Sequence, residues 1–331
     1  MIKRVAFGIV MAAVALMAAR SGYIILRQPD AAPAPNVKVQ VTPVRIERGK
    51  YLFENVADCD GCHSQRDFSR FGAPVVAGGR GKGFVFPPEL GLPGRVVGSN
   101  ITPDLETGLG RWTDGEKIRA IREGVSRDGR ALFPLMPYES YRRMSDEDVH
   151  CLVAYLNTMA PVSNKLPATE LSFPVNVFVK GVPQPVRKPV PAPDSSDPVK
   201  YGEYLASLAG CGLCHTPKQR GEPVRGKEFA GGEEFAIAGF FVRSPNITPD
   251  VDSGIGTWTE RRFLSKFIGY RWFTSVEELP KSNQANFTLM PWLGLSKMKD
   301  EDLKAIYAYL RTLRPVYNPV EVHPPVAPPA R

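Results

Sequence analysis

The chain carries one sequence pattern twice, and this internal repeat constrains the fold more than any other feature. Asn-Ile-Thr-Pro-Asp at residues 100–104 returns at residues 246–250. Leu-Met-Pro followed by an aromatic residue at 135–138 returns at 289–292. Because both motifs recur in the same order, the sequence predicts one structural unit written twice.

The spacing of the copies sets the boundaries of the two units. It grows from 146 to 154 residues along the chain, which places an eight-residue insertion near residues 275–286. We predict units at residues 46–161 and 198–316, each of ordinary domain size. The other segments are a signal peptide or signal anchor (1–27), a Pro- and Ala-rich spacer (28–45), a Pro-rich linker (162–197) and a Pro-rich tail (317–331).

Hydrophobic periodicity predicts that both units are mainly helical. A short helix should lead into each pair of cysteines, at residues 48–56 and 200–208, and another should cover 116–125. Ser145 with Asp148 three residues later resembles a capping box and predicts a helix start. Neither unit shows the alternating pattern of a strand, so no strands are predicted.

Two Cys-x-x-Cys-His motifs stand near the start of the two units. They consist of Cys59, Cys62 and His63, and of Cys211, Cys214 and His215. This spacing is the attachment signature of c-type haem. Two thiols on one tight turn reach the two vinyl groups of a porphyrin, and the next imidazole reaches the iron. We therefore predict two covalently bound haem c groups, with the two histidines as iron ligands.

Three other uses of Cys-x-x-Cys remain open. The four thiols could form one zinc site, each pair could be a thioredoxin-like redox centre, or each pair could be a disulfide. A zinc site would leave two equally placed histidines unexplained. A thioredoxin-like centre would need a βαβ context, which the sequence lacks.

The repeated methionines, Met136 and Met290, are the predicted second iron ligands. Each is followed by proline and an aromatic residue. A lone Met usually fills a core, but the same motif at the same place in both units is better explained by ligation. His/Met ligation raises the haem potential and fills both axial positions, which suits outer-sphere electron transfer.

Other side chains fit the repeat less well. His150 and Cys151 have no copy in the second unit, and helical periodicity already explains both. His323 lies in the tail without a counterpart. Met144 and Met298 do repeat and are the fallback ligands.

Two further repeated features have two open interpretations. Trp112 and Trp258 each belong to a Gly-x-Gly-x-Trp motif, close to an Asn-Ile-Thr-Pro-Asp segment. A buried indole N–H needs a hydrogen-bond partner, which a haem propionate could supply. Simple loop and core structure explains these motifs equally well.

The N-terminus has the pattern of an export signal. Lys3 and Arg4 precede apolar residues 5–19, and the apolar character resumes after Arg20. Ala13-Val14-Ala15 offers a cleavage site, but residues 5–26 are long enough to cross a bilayer. We favour an uncleaved anchor with the rest of the chain on the periplasmic side; cleavage would leave a soluble periplasmic protein.

Both units resemble class I cytochrome c domains, of the kind found in cytochrome subunits of bacterial membrane-bound alcohol, aldehyde and gluconate dehydrogenases. The resemblance covers residues 51–160 and 201–315 and rests on the haem attachment, Asn-Ile-Thr-Pro-Asp, Gly-x-Gly-x-Trp and Met-Pro-aromatic motifs. Those subunits typically hold three haems, whereas this sequence has two attachment motifs. The resemblance implies two tandem class I cytochrome c domains joined by a Pro-rich linker.

The expected function is electron relay from a dehydrogenase to a respiratory acceptor, rather than catalysis by this chain alone. The alternative is a diheme enzyme of the peroxidase or thiosulfate-oxidising type, in which one haem performs chemistry. The net charge of +8 is scattered, with no nucleic-acid motif, so we expect no nucleic-acid partner. We also expect the apolar first half of the linker to dock as a strap across both units, with the haems close together.

Overall fold

Two sets of helices in the same order form the body of the computed structural model, which describes residues 22–23, 26–219, 221–273 and 275–325. The helices of the first unit are α1 (Pro43–Tyr51), α2 (Cys59–His63), α3 (Asp114–Glu123), α4 (Tyr138–Tyr141) and α5 (Asp146–Thr158). The linker holds α6 (Val175–Phe178). The second unit has α7 (Pro198–Leu208), α8 (Cys211–His215), α9 (Glu260–Ile268), α10 (Trp292–Leu295) and α11 (Asp300–Thr312). Helices are the longest elements of the described residues.

Capping residues explain where the helices begin. α1 starts before the predicted residue 48 because Pro43 occupies its first turn and Thr42 Oγ1 accepts a hydrogen bond from the backbone N–H of Arg45 at 3.3 Å. α5 begins as predicted, since Ser145 Oγ accepts from the backbone N–H of Asp148 at 3.1 Å. The sequence therefore located the helices correctly and placed one start too late.

The first unit contains a π-helical turn that the second unit lacks. Gly49 and Cys59 are separated by one residue more than Gly202 and Cys211. The extra residue is absorbed by the π-helical segment Leu52–Val56, which directly continues α1. Such a turn is the usual result of inserting one residue into an α-helix without disturbing either end.

The first and last helices of each unit cross at a glycine. A Cβ atom on Gly49 would lie 1.9 Å from the backbone oxygen of Cys151, and one on Gly202 would lie 1.8 Å from that of Ala305. Only glycine permits backbones to approach this closely. α1 therefore packs directly on α5, and α7 on α11, at equivalent positions.

Short antiparallel ribbons contradict the expectation of no strands. The paired strands are β1 (Phe84–Val85) with β3 (Val97–Gly98), β2 (Gly94–Arg95) with β4 (Glu170–Leu171), β5 (Lys218–Gln219) with β6 (Glu222–Pro223), and β7 (Glu234–Ile237) with β8 (Phe240–Arg243). Most contain two residues, which is too short for an alternating pattern to be visible in the sequence.

Reciprocal hydrogen bonds join the two units. Tyr51 Oη donates to Asp302 at 2.5 Å and accepts from the backbone N–H of Lys299. Tyr204 Oη donates to Asp148 at 2.7 Å and accepts from the backbone N–H of Ser145. Each tyrosine lies on the first helix of one unit and bonds the start of the last helix of the other. The boundary thus has an approximate two-fold symmetry.

The inserted residues near 275–286 add a contact that breaks this symmetry. The backbone N–H of Phe71 donates to the oxygen of Pro280 at 2.8 Å, and that of Ser282 donates to the oxygen of Ser69 at 2.8 Å. The insertion of the second unit therefore covers a loop of the first.

The linker forms an ordered strap along the first unit. Thr169 Oγ1 accepts from the backbone N–H of Val97 at 3.1 Å, and the backbone N–H of Val186 donates to Glu123 at 2.9 Å. Val190 exchanges hydrogen bonds with Asp146. We predicted that only the apolar first half of the linker docks, and the Thr169 bond holds that half to the first unit. Val186 and Val190 belong to the second half, which was expected to be extended. The contact also expected with the second unit is not among these bonds.

The spacer and the tail are docked as well. Val39 is buried, and its backbone N–H donates to Asp114 at 2.9 Å. In the tail, Asn318 donates to the oxygen of Ala230 at 2.9 Å. The predicted signal or anchor, residues 1–27, falls almost entirely outside the described residues. Within the described ranges, no helix has the length and apolar character needed to cross a membrane.

Candidate functional site

The two Cys-x-x-Cys-His motifs adopt the same local structure. α2 and α8 each hold one motif, and each follows a residue in the left-handed region: Asp58 with φ 44° and Gly210 with φ 67°. This sharp turn ends the preceding helix and starts the next. Within each short helix the two cysteines are three residues apart and so lie on one side. The two thiols of each motif can therefore approach one ligand together.

The two histidines are fixed in the same orientation. The Nδ1 atom of His63 lies 2.8 Å from the backbone oxygen of Ser99, and that of His215 lies 2.8 Å from the oxygen of Pro245. This contact fixes the tautomer with the proton on Nδ1, so Nε2 keeps its lone pair. Burial lowers the pKa of both imidazoles, which favours the neutral, ligating form. Both residues therefore fit the role of iron ligand.

Met136 and Met290 lie at equivalent turns. The backbone oxygen of Met136 accepts from the N–H of Tyr138 at 2.8 Å, and that of Met290 accepts from the N–H of Trp292 at 2.7 Å. In each case the intervening proline precedes a four-residue helix, α4 or α10. Both methionines are partly buried at the edge of the main hydrophobic core. They remain the predicted axial ligands.

The fallback methionines and the unrepeated Cys151 and His323 lie in the core or make local contacts. Met144 and Met298 are 0% and 1% exposed and lie inside the core, which matches the gap-filling use of Met. Cys151 is buried in the same core. His323 contacts the backbone oxygen of Phe287 at 2.8 Å in the tail. These residues have packing or local bonding roles that need no haem.

The two motifs lie near the boundary of the units. Burial raises the pKa of Cys62 to about 12, and a negative charge on Cys214 adds to that shift. Burial also raises the pKa of Cys214, with a smaller contribution from Asp58 of the first unit. Two cavities of about 230 and 200 Å³ flank the two motifs at the boundary.

A charged network at the first site was missed from the sequence. Asp60 is buried, accepts a hydrogen bond from Ser64 Oγ at 2.5 Å, and pairs with Arg80 at 3.1 Å. Arg80 also pairs with Glu54 at 2.7 Å, and Glu54 accepts from Tyr155 Oη at 2.7 Å. Comparison of the two motifs could have indicated that the sites differ, because Asp60 corresponds to a glycine in the second unit.

The repeated Asn-Ile-Thr-Pro-Asp segments form hydrogen bonds with the chain that follows the last helix of each unit. Asn100 accepts from the N–H and hydroxyl of Thr102, and its amide donates to the backbone oxygen of Val162 at 2.7 Å. Asn246 makes the same bonds to Thr248 and to Val316, there at 2.8 Å. The motif thus binds the chain that leaves the last helix, which supports its interpretation as loop structure.

The zinc alternative has no matching geometry. Over residues 22–23, 26–219, 221–273 and 275–325, no group of three or more His, Cys, Asp or Glu side chains could hold a metal ion. What the structure provides instead is two separate sets of two thiols and one imidazole. This is the donor set of covalent haem attachment.

Comparisons with known proteins agree with covalent haem attachment. The cytochrome c family model matches residues 199–314. A diheme cytochrome c-type protein of Cereibacter sphaeroides is 31% identical over 80% of this chain and 84% of its own length. The chain belongs to the cytochrome c family.

Larger proteins are similar too. The cytochrome c subunit of a quinone alcohol dehydrogenase from Gluconobacter oxydans is 28% identical over 81% of this chain and 54% of its own length. The cytochrome c subunit of gluconate 2-dehydrogenase from Pantoea cypripedii is 30% identical over 83% and 60%. The chain therefore spans little more than half the length of these relatives. The resemblance predicted from the motifs is confirmed.

Proposed function

We propose that this protein is a periplasmic diheme cytochrome c that relays electrons from a dehydrogenase to a respiratory acceptor. The observation that carries the proposal is the duplicated site: two motifs whose imidazoles are both fixed through Nδ1 to a backbone oxygen. Bound haem would supply one-electron oxidation and reduction at its iron. The relatives named as dehydrogenase cytochrome subunits support a dehydrogenase as the electron donor.

Different side chains would attach the two haems and ligate their irons. Cys59 and Cys62 would attach one haem and Cys211 and Cys214 the other. The pairs His63 with Met136 and His215 with Met290 would ligate the two irons. Because both axial positions would be filled, neither iron would be open to substrate, and this favours relay over the peroxidase-type alternative. The Nδ1 contacts to Ser99 and Pro245 hold each imidazole in one orientation.

Haem content tests the attachment sites. Replacing both Cys59 and Cys62 with Ser should reduce covalently bound haem from two per chain to one, as should replacing Cys211 and Cys214. The matched control is Cys151→Ser, which should retain two. Intact mass spectrometry and the pyridine haemochrome spectrum would measure this. Loss of haem in the Cys151 variant would contradict the assignment.

Leucine substitutions test the axial ligands, because Leu matches the volume of Met and lacks its sulfur. We expect Met136→Leu and Met290→Leu each to remove the sulfur-to-iron absorption band of one haem and to lower its reduction potential. Met144→Leu and Met298→Leu are the controls and should keep both bands. If a control variant loses the band, the fallback methionines are the ligands.

The proposal includes a membrane tether formed by residues 5–26. The support is their apolar sequence after Lys3 and Arg4. Washing membranes with alkaline carbonate should leave the full-length protein bound. Release of an N-terminally shortened protein would show that the segment is a cleaved signal.

A further inference from the structure

Two phenylalanines on the strap are exposed although the strap is docked. Phe173 and Phe178 are 77% and 59% exposed; Phe173 precedes α6 by two residues, and Phe178 is the last residue of α6. The next residue, Val179, is buried. The turn is therefore held against the protein by one side chain while two aromatic rings point outward. Single exposed apolar residues are common, but two large ones within six positions mark a contact surface.

The apolar N-terminal segment reaches the protein beside this turn. The Arg27 guanidinium lies against the backbone of Gly181, where a side chain at that position would stand. Gly181 ends the 3₁₀ turn that directly follows α6. Leu26, the last apolar residue before Arg27, is 77% exposed. The end of residues 5–26 is thus fixed within a few residues of Phe178.

The spacer that follows Arg27 also contacts the strap and the first unit, and these contacts help to fix the position of Arg27. Asp30 lies 3.7 Å from Arg187 of the strap. Pro35 packs on Gly115, whose Cβ would meet the oxygen of Pro35 at 1.8 Å. Together with buried Val39, these contacts hold the spacer against the first unit. A membrane segment emerging at Leu26 would therefore present one particular face of the protein to the bilayer.

We propose that this face, formed by Leu26, Phe173 and Phe178 with the cation Arg27, rests in the headgroup region of an anionic bilayer. The inference rests on the proposed membrane tether. Aromatic rings are favoured at the boundary between headgroups and acyl chains. A basic residue beside them is attracted to anionic lipid. The first unit is then the membrane-proximal unit.

Lipid photolabelling tests this surface. Full-length protein is placed in phosphatidylcholine and phosphatidylglycerol vesicles that contain a phospholipid with a diazirine near the top of one acyl chain. After photolysis, labelled peptides are mapped by mass spectrometry. We expect labelling of residues 1–27 and of a peptide spanning 173–181. Trp272 of the second unit is 78% exposed, and its peptide is the matched control that should stay at background.

A double variant separates the surface from the tether. Phe173→Ser with Phe178→Ser should still sediment with vesicles through residues 5–26, while labelling of peptide 173–181 falls at least fivefold. If the wild-type peptide 173–181 is labelled no more than the Trp272 peptide, the proposed surface is wrong, and that is the outcome expected if the face instead binds a protein. If the full-length protein fails to sediment with vesicles, both the proposed tether and the proposed surface are wrong. The electron-relay proposal is still tested independently by haem content and spectra.

Discussion

Tyr51 and Tyr204 occupy equivalent positions, yet the carboxylates they bind have different support. Asp148 also accepts two hydrogen bonds from Arg48, at 2.8 and 2.9 Å. The residue that corresponds to Arg48 in the second unit is Tyr201, so Asp302 lacks such a cation. Among the side-chain hydrogen bonds of the described residues, Asp302 has only the one from Tyr51. Burial, together with the bond to the carboxylate, raises the pKa of both phenols, so both remain donors.

This difference predicts unequal effects of the same substitution. Tyr51→Phe leaves the buried Asp302 carboxylate without its donor and should lower the free energy of unfolding by about 2–3 kcal/mol. Tyr204→Phe leaves Asp148 paired with Arg48 and should cost only about 1 kcal/mol. Chemical denaturation would measure both, with Tyr317→Phe, an exposed residue, as a neutral control. Equal losses at positions 51 and 204 would contradict this account.

At the level of helices, the crossings at Gly49 and Gly202 make the sharpest prediction. Alanine at either position would place its Cβ less than 2 Å from a backbone oxygen of the facing helix. The helices would have to separate, so we expect a loss of about 1–3 kcal/mol or more. Gly269→Ala is the control, since its Cβ would meet the nearest oxygen at 3.4 Å. Thermal unfolding of the three variants would decide; a Gly49 variant as stable as the control would show that the crossing tolerates a side chain.

The helices and the haem motifs could be predicted from sequence because each depends on local spacing. A repeated apolar face fixes a helix, and Cys-x-x-Cys-His fixes an attachment turn. The π-helical turn was missed although the extra residue between Gly49 and Cys59 is visible in the sequence, because spacing does not say how a helix absorbs an insertion. The Asp60 network and the tyrosine pairs were missed because apolar periodicity shows which face is buried, not which polar groups meet across it.

At the level of the whole molecule, the strap and the unit boundary predict a particular pattern of proteolysis. The strap is hydrogen-bonded to the first unit at Thr169, Val186 and Val190, whereas residues 191–196 are mostly exposed. Brief treatment of the native protein with proteinase K should therefore cut first within residues 191–196. The two fragments should still elute together on gel filtration, since the tyrosine pairs and the covering insertion remain.

Two results of that experiment would contradict the structure. First cleavage between residues 166 and 180 would show that the strap is not docked on the first unit. Early separation of the fragments would show that the boundary between the units is too weak to hold them together.

The approximate two-fold boundary has a consequence for an electron carrier made as one polypeptide. In a dimer of identical chains, symmetry requires both halves to carry the same residues, and dilution separates them. Joining the halves by a strap keeps their local concentration constant at any dilution. It also frees each half to change alone, as at Arg48 and Tyr201 or at Asp60 and Gly212. Such a molecule has two distinguishable ends in a fixed one-to-one ratio, which a symmetric dimer cannot have.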